Sequence, residues 1–147
     1  MTAPVSVKIL DPRARLPVYG SNHAAGADLY ALADSPVTIA PGGTALIHTG
    51  IAVAVPWGYV GLVYARSGLA CKRGLAPANK VGVIDADYRG EVMIYLHNHG
   101  TEPQTVEDGD RVAQLVITPY LTAQFERVDE LDKTERGSGG FGSTGRG

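Results

Sequence analysis

The sequence holds a single cysteine, Cys71, so no disulfide can form within the chain. That fits a reducing compartment. No apolar run approaches the roughly 20 residues that cross a membrane as a helix. The opening residues, Met-Thr-Ala-Pro-Val-Ser-Val-Lys, carry neither the basic head nor the apolar stretch of a signal peptide. Basic excess is lacking too. The 13 Lys and Arg stand against 15 Asp and Glu, and the net charge of −2 argues against a nucleic-acid partner, which wants a basic face. No segment keeps an apolar period of 3.6 residues, so long amphipathic helices are excluded. These absences predict a cytoplasmic protein with no membrane or nucleic-acid partner.

What is abundant is punctuation. The 147 residues suffice for one domain with a real core. Across them 19 glycines and 9 prolines are scattered rather than blocked together, which cuts the chain into many short segments. Residues 5–10 alternate apolar and polar, as a half-buried strand does. Residues 37–39, 45–49, 51–55 and 59–64 read as further strands, with Gly50 separating the second from the third. Residues 76–84 and 91–98 read as a hairpin, and residues 111–117 and 123–128 as the last strands. A helix fits only at residues 66–73, for two turns at most. Ten or so short strands with regular turns predict an all-β, jelly-roll-like distorted barrel. The domain is expected to span residues 1–132, followed by a flexible glycine-rich tail over residues 133–147.

Five short stretches do not look like plain structure. In Gly-Val-Ile-Asp-Ala-Asp-Tyr-Arg-Gly-Glu, residues 82–91, Asp85 directly follows Val83 and Ile84, where a strand normally stays buried. A carboxylate at the lip of an apolar hairpin, with the Tyr88 ring three residues on, describes a small pocket. Two turn-forming aspartates, Asp85 and Asp87, would explain the same letters. Asp28, in Ala-Gly-Ala-Asp-Leu, is either a strand-edge residue or a carboxylate near a hard cation. Arg66, Ser67 and Gly68 at the start of the helical turn offer an anion site; a Ser N-cap beside a solvated Arg is the ordinary reading. Gln114 interrupts an apolar strand, and a buried amide must be hydrogen-bonded. It therefore satisfies backbone or faces a pocket, while Asp110 and Arg111 read as a local ion pair. The tail stretch, Arg-Gly-Ser-Gly-Gly-Phe-Gly-Ser-Thr-Gly, could wrap phosphates. It lacks the Gly-Lys-Ser/Thr ending of a Walker A loop, and its lone aromatic, Phe141, needs something to pack on. His97 and His99 make a weak metal pair. Cys71 reads as a packed thiol, and Trp57 and Tyr59 as turn and core packing.

In this order and spacing, the five stretches resemble the trimeric deoxyuridine triphosphatase (dUTPase) family over nearly the whole chain. The resemblance implies a jelly-roll homotrimer with shared active sites that converts dUTP and water to dUMP and pyrophosphate with Mg²⁺. Such an activity keeps uracil out of DNA and supplies dUMP for dTMP synthesis. It implies Asp85 as the general base on the attacking water and as a partner of the sugar 3′-hydroxyl. Tyr88 would lie under the deoxyribose and leave no room for a 2′-hydroxyl. Asn79 and hairpin backbone groups would read the uracil edge, with Val83 and Met93 in the substrate pocket. Arg66, Ser67, Gly68 and Gln114 would hold phosphates and the water, and Asp28 the metal, through water. Phe141 would stack on the uracil as the tail closes, with Arg136, Gly142, Ser143 and Thr144 at the phosphate end. One departure is visible: Ala65 stands where the family usually has Pro, which implies a slightly looser loop. The fold is shared with dCTP deaminases, which carry a glutamate on the strand after the hairpin. Tyr95 stands there in this chain, which argues against deamination.

Overall fold

The computed structural model describes residues 3–140. They form β1 (Ser6–Ile9), β2 (Val18–Tyr19), β3 (Ala27–Tyr30), β4 (Val37–Ile39), β5 (Thr44–Ala54), β6 (Tyr59–Tyr64), α1 (Ser67–Arg73), β7 (Leu75–Pro77), β8 (Gly82–Ile84), β9 (Glu91–Asn98), β10 (Gln104–Val106) and β11 (Arg111–Pro119). A four-stranded sheet, β1-β5-β9-β7, and a five-stranded sheet, β2-β3-β11-β6-β8, carry most of the fold, with β10-β4 as a separate pair. Strand pairing is antiparallel throughout. The all-β, jelly-roll-like expectation holds. The core is built from the inward faces of the strands, with Leu29, Ile51, Val53, Leu75, Leu96, Val106 and Val112 almost wholly buried.

Period-two alternation decides what each strand shows to the outside. In β9, Val92, Ile94, Leu96 and Asn98 are buried, which turns Met93, Tyr95 and His97 the other way. The polar residue among the buried four is satisfied: Asn98 Nδ2 donates to the carbonyls of Ile39 and Glu102, and its Oδ1 accepts the Gly100 N–H.

Several expectations are corrected. Residues 45–49 and 51–54 lie in one strand, β5, not two. Gly50 does not break it; it forms a bulge, with φ at +69° and a register shift against β9 between His48 and Ala52. Residues 76–84 are not one strand: residues 76–77 belong to β7 and do pair with β9, whereas residues 82–84 form β8 and do not. β8 pairs with β6, whereas β9 pairs with β5 and β7, so the stretch crosses from one sheet to the other. Residues 123–128 form no strand, because nothing in the described chain offers them a partner. The strands end at Pro119, and residues 120–140 run exposed, with Leu121, Phe125 and Leu131 almost bare. Trp57 is a turn residue with 75% of its surface exposed rather than a packing one. Cys71 is exposed on α1.

Candidate active site

The crossing between sheets opens a cleft of about 590 Å³. It lies between β8 and β9, which diverge instead of pairing. Asn79, Val83, Tyr88 and Met93 line it together with Ala78, Gly82, Glu91 and Tyr95. Asn79 sits in the tight turn between β7 and β8, where the Lys80 N–H bonds back to the Pro77 carbonyl and Lys80 takes a positive φ of 66°. Diverging strands leave backbone groups facing the gap, and such groups need partners. A flat, neutral ring with donors and acceptors on its edge suits that gap.

The Tyr88 ring is placed by two features. Its hydroxyl donates to the Glu91 carbonyl at 2.8 Å. A Cβ on Gly90 would stand 2.6 Å from Tyr88 Cζ, so the ring lies on bare glycine backbone. Glu91 reaches the other way, to β5. Its Oε1 accepts the Gly50 N–H at 2.9 Å and its Oε2 lies 3.0 Å from His48 Nδ1. Burial disfavours the Glu91 charge, but the bonds from His48 and the Gly50 N–H outweigh it and hold the carboxyl below its ordinary range. Asp85 is exposed just after β8, and its carboxylate makes no hydrogen bond to another described residue.

A second, smaller hollow of about 250 Å³ is lined by Gly26, Asp28, Arg66, Ser67, Gly68, Arg111 and Gln114. Asp28 on β3 stands directly opposite Gln114 on β11. Its Oδ1 accepts Arg66 Nε at 2.8 Å, and its Oδ2 accepts Arg111 Nη1 at 3.4 Å. Arg111 therefore pairs with Asp28 and not with Asp110, whose carboxylate instead accepts the Glu107 N–H. The reason is a bulge. β11 shifts register against β3 between Arg111 and Ala113. Val112 and Ala113 both go into the core, so Arg111 and Gln114 both turn outward to the hollow. Neither reading of Gln114 excludes the other: Nε2 donates to the Ala65 carbonyl at 2.8 Å, and the residue lines the hollow. Gly26 makes room for this, since a Cβ there would fall 2.3 Å from Gln114 Oε1. Arg66 holds the N-cap position of α1 without a side-chain cap bond, so the Ser N-cap reading fails and Ser67 is the first helical residue.

Cleft and hollow share no lining residue. The chain brings together Asn79, Val83, Tyr88 and Met93, and separately Asp28, Arg66, Ser67, Gly68 and Gln114. Arg136 joins neither; its Nε donates to the Gly139 carbonyl in its own exposed segment. Phe141, Gly142, Ser143 and Thr144 lie outside the described residues. Sequence reasoning missed Arg111 and Gly26 as site residues; the first was hidden by the bulge. Among the described residues, no three His, Cys, Asp or Glu side chains converge on a point that could hold a metal. A Mg²⁺ ion keeps several waters and needs only one or two protein carboxylates beside substrate phosphates. Asp28 fits that role at one remove, because both its oxygens already accept from guanidinium groups.

Similar proteins give this geometry a context. A deoxyuridine 5′-triphosphate nucleotidohydrolase of Syntrophotalea carbinolica is 53% identical over 144 residues, which covers 98% of each chain. One from Desulfitobacterium hafniense is 53% identical over 136 residues, covering 92% of this chain and 90% of its own. Among solved structures, the Staphylococcus bacteriophage 80alpha dUTPase with dUpNHpp superposes with a TM-score of 0.89 at 32% identity, over 99% of this chain and 100% of that one. A mutant dUTPase from phage phi11 of S. aureus, described for its coordination of a structural Mg(II) ion, superposes with a TM-score of 0.78 at 29% identity, over 87% of this chain and 98% of its own. The dUTPase family model matches residues 13–145, a span that includes every residue lining the cleft and the hollow, and the chain belongs to the dUTPase family.

Proposed function

We propose that this chain is a dUTP diphosphatase that works as a homotrimer with active sites shared between subunits. The observation that carries the reading is the pairing of two unlike cavities. One is an apolar cleft with an amide, a tyrosine ring and open backbone edges. The other is a hollow carrying two guanidinium groups, a hydroxyl and an amide. A uracil nucleoside fits the first and a triphosphate the second.

In the cleft, Asn79 and the backbone of β8 and β9 read the uracil edge, between Val83 and Met93. Tyr88 lies under the deoxyribose, where a 2′-hydroxyl has no room. Asp85 takes a proton from water as that water attacks the α-phosphorus. The new bond is water oxygen to phosphorus; the bond to the bridging oxygen breaks, and pyrophosphate leaves with the electron pair. One positioned carboxylate is enough, because arginines at the phosphates stabilise the charge. Arg66, Arg111, Ser67 and Gly68 hold the phosphates, and Gln114, fixed by the Ala65 carbonyl, orients the water. Mg²⁺, when bound, neutralises phosphate charge, with Asp28 holding a water of that ion.

Two features support the sharing of sites. Among the described residues the cleft and the hollow share no lining residue, which supports a site completed by a second subunit. Residues 120–140 expose Leu121, Phe125 and Leu131, and apolar side chains so bare ask for a covering surface. The tail from residue 133 onward, with Arg136, Phe141, Gly142, Ser143 and Thr144, would then close over a site and exclude water. We place the reaction in the cytoplasm. No helix of the described residues is long and apolar enough to cross a membrane.

The test is pyrophosphate release from dUTP, UTP, dCTP and dTTP, with and without Mg²⁺. Release from dUTP alone is expected. No release from dUTP would refute the reading, and ammonia from dCTP would replace it with deamination.

A further inference from the structure

The Tyr88 ring is held by the backbone of Gly90 and Glu91, so its height depends on what holds that backbone. Glu91 is the first residue of β9 and lies opposite Ala52 on β5. Just before that pair the β5–β9 register breaks, and the bulge leaves the Gly50 N–H to be taken by Glu91 Oε1 rather than by strand backbone. The bulge itself cannot yield. Gly50 is buried at a φ of +69°, and a Cβ there would stand 2.7 Å from Leu32 Cδ2 and 2.8 Å from Ala14 Cβ. His48 Nδ1 braces the other carboxylate oxygen. The side chain of Glu91 thus ties a rigid bulge to the strand start whose carbonyl receives the Tyr88 hydroxyl. The Thr49 hydroxyl, which donates to the Val92 carbonyl, ties the same bulge to the next residue of β9, but only Glu91 joins it to the residue whose carbonyl receives Tyr88.

We propose that Glu91 is a positioning residue for sugar discrimination: its carboxylate locks the start of β9 to the β5 bulge and so sets the height of the Tyr88 ring that excludes a 2′-hydroxyl. The inference rests on reading the cleft as the deoxyuridine site. It separates two jobs. The Tyr88 N–H donates to the Asp85 carbonyl at 3.1 Å, but the Asp85 carboxylate bonds neither Glu91 nor the bulge, so the clamp acts first on which sugar fits and less on how fast water attacks. Glutamine at residue 91 would still accept from the Gly50 N–H. Alanine would orphan that N–H and leave the strand start held by the Thr49–Val92 bond and the Ala52 pairing alone.

The experiment compares kcat and KM for dUTP and UTP in the wild type, Glu91→Ala, Glu91→Gln and Tyr88→Phe. A pocket that rejects an added hydroxyl by shape discriminates by about 10²-fold. Glu91→Ala is expected to lower the dUTP-to-UTP ratio of kcat/KM by about tenfold, through KM, with kcat for dUTP within about threefold of wild type. Glu91→Gln is expected to restore most of the ratio. Tyr88→Phe, which keeps the ring and removes only its bond to Glu91, is expected to lose a similar factor. An unchanged ratio in Glu91→Ala, whatever its melting temperature, overturns the proposal. Should that variant not fold, an unchanged ratio in Tyr88→Phe overturns it instead. A wild type that hydrolyses no dUTP refutes the functional reading; an active wild type with a flat mutant series refutes this inference alone.

Discussion

The cleft and the hollow solve opposite problems. The cleft is mostly apolar, and what polar recognition it has comes from backbone and one amide held in a tight turn. Nothing in it must move for a neutral base to enter. The hollow is the reverse. Its charges are half-buried, with side-chain exposures of 26% for Arg66 and 13% for Asp28, and they are already paired with each other. Unpaired charges at that depth would cost several kcal/mol. A triphosphate arriving there must therefore share or replace Asp28 as the guanidinium partner. On the proposed reading, base recognition is preformed by strand divergence, whereas phosphate recognition is an exchange of partners. Asp85 makes no side-chain bond among the described residues and belongs to neither network; on the proposed reading, its chemistry waits until the cleft and the hollow are brought together.

The hardest break in this comparison is Asp85→Asn. It should touch neither the cleft walls nor the hollow, yet lower kcat by about 10²–10⁴-fold, the usual worth of a general base. Calorimetry with dUMP should show affinity close to wild type. A variant that turns over dUTP at the wild-type rate would remove Asp85 from its role.

Arg111→Ala comes next and separates the two cavities. A charge-assisted bond to phosphate is worth about 1.5–3 kcal/mol, so KM for dUTP should rise by about tenfold or more. Deoxyuridine, which has no phosphate, should bind as before. Equal weakening of both ligands would mean that the hollow and the cleft are not independent.

The same contrast marks what the letters of the sequence can reveal. Asp28, Arg66, Gln114 and Asp85 are legible because each is a polar residue set against an apolar local pattern. The helix at Ser67–Arg73 is legible because it starts where a strand pattern stops. Arg111 is not, because the bulge at Val112–Ala113 inverts the strand's parity, and a period-two reading cannot see an inserted residue. Gly50 misleads in the same way: glycine suggests a break, and the chain uses it for a bulge inside one long strand. The expected hairpin holds only where β7 pairs with β9 and fails at β8, for a different reason. Two apolar runs joined by a turn normally pair, but β8 finds a better partner in β6, and the gap left behind is the cleft itself. Residues 123–128 carry a strand-like pattern with no strand beside them among the described residues. A single sequence does not say whether a pattern is completed at home or by a neighbour.

The smallest effect concerns the clamp on the cleft side. The Glu91 carboxyl is held below its ordinary range in the fold. A depressed carboxyl stabilises the fold above its unfolded value of about 4.3, and that contribution fades as pH falls through the lower, folded value. On acidification below about pH 4.3 the melting temperature should therefore fall more steeply in the wild type than in Glu91→Gln, which cannot titrate. Glu91 bonds to His48 and Gly50, and Arg111 to Asp28, so the two share no partner and their effects should add. The excess slope should survive Arg111→Ala unchanged. If it vanished there, the two cavities would be coupled through the fold, and the division between a preformed cleft and an exchanging hollow would have to be abandoned.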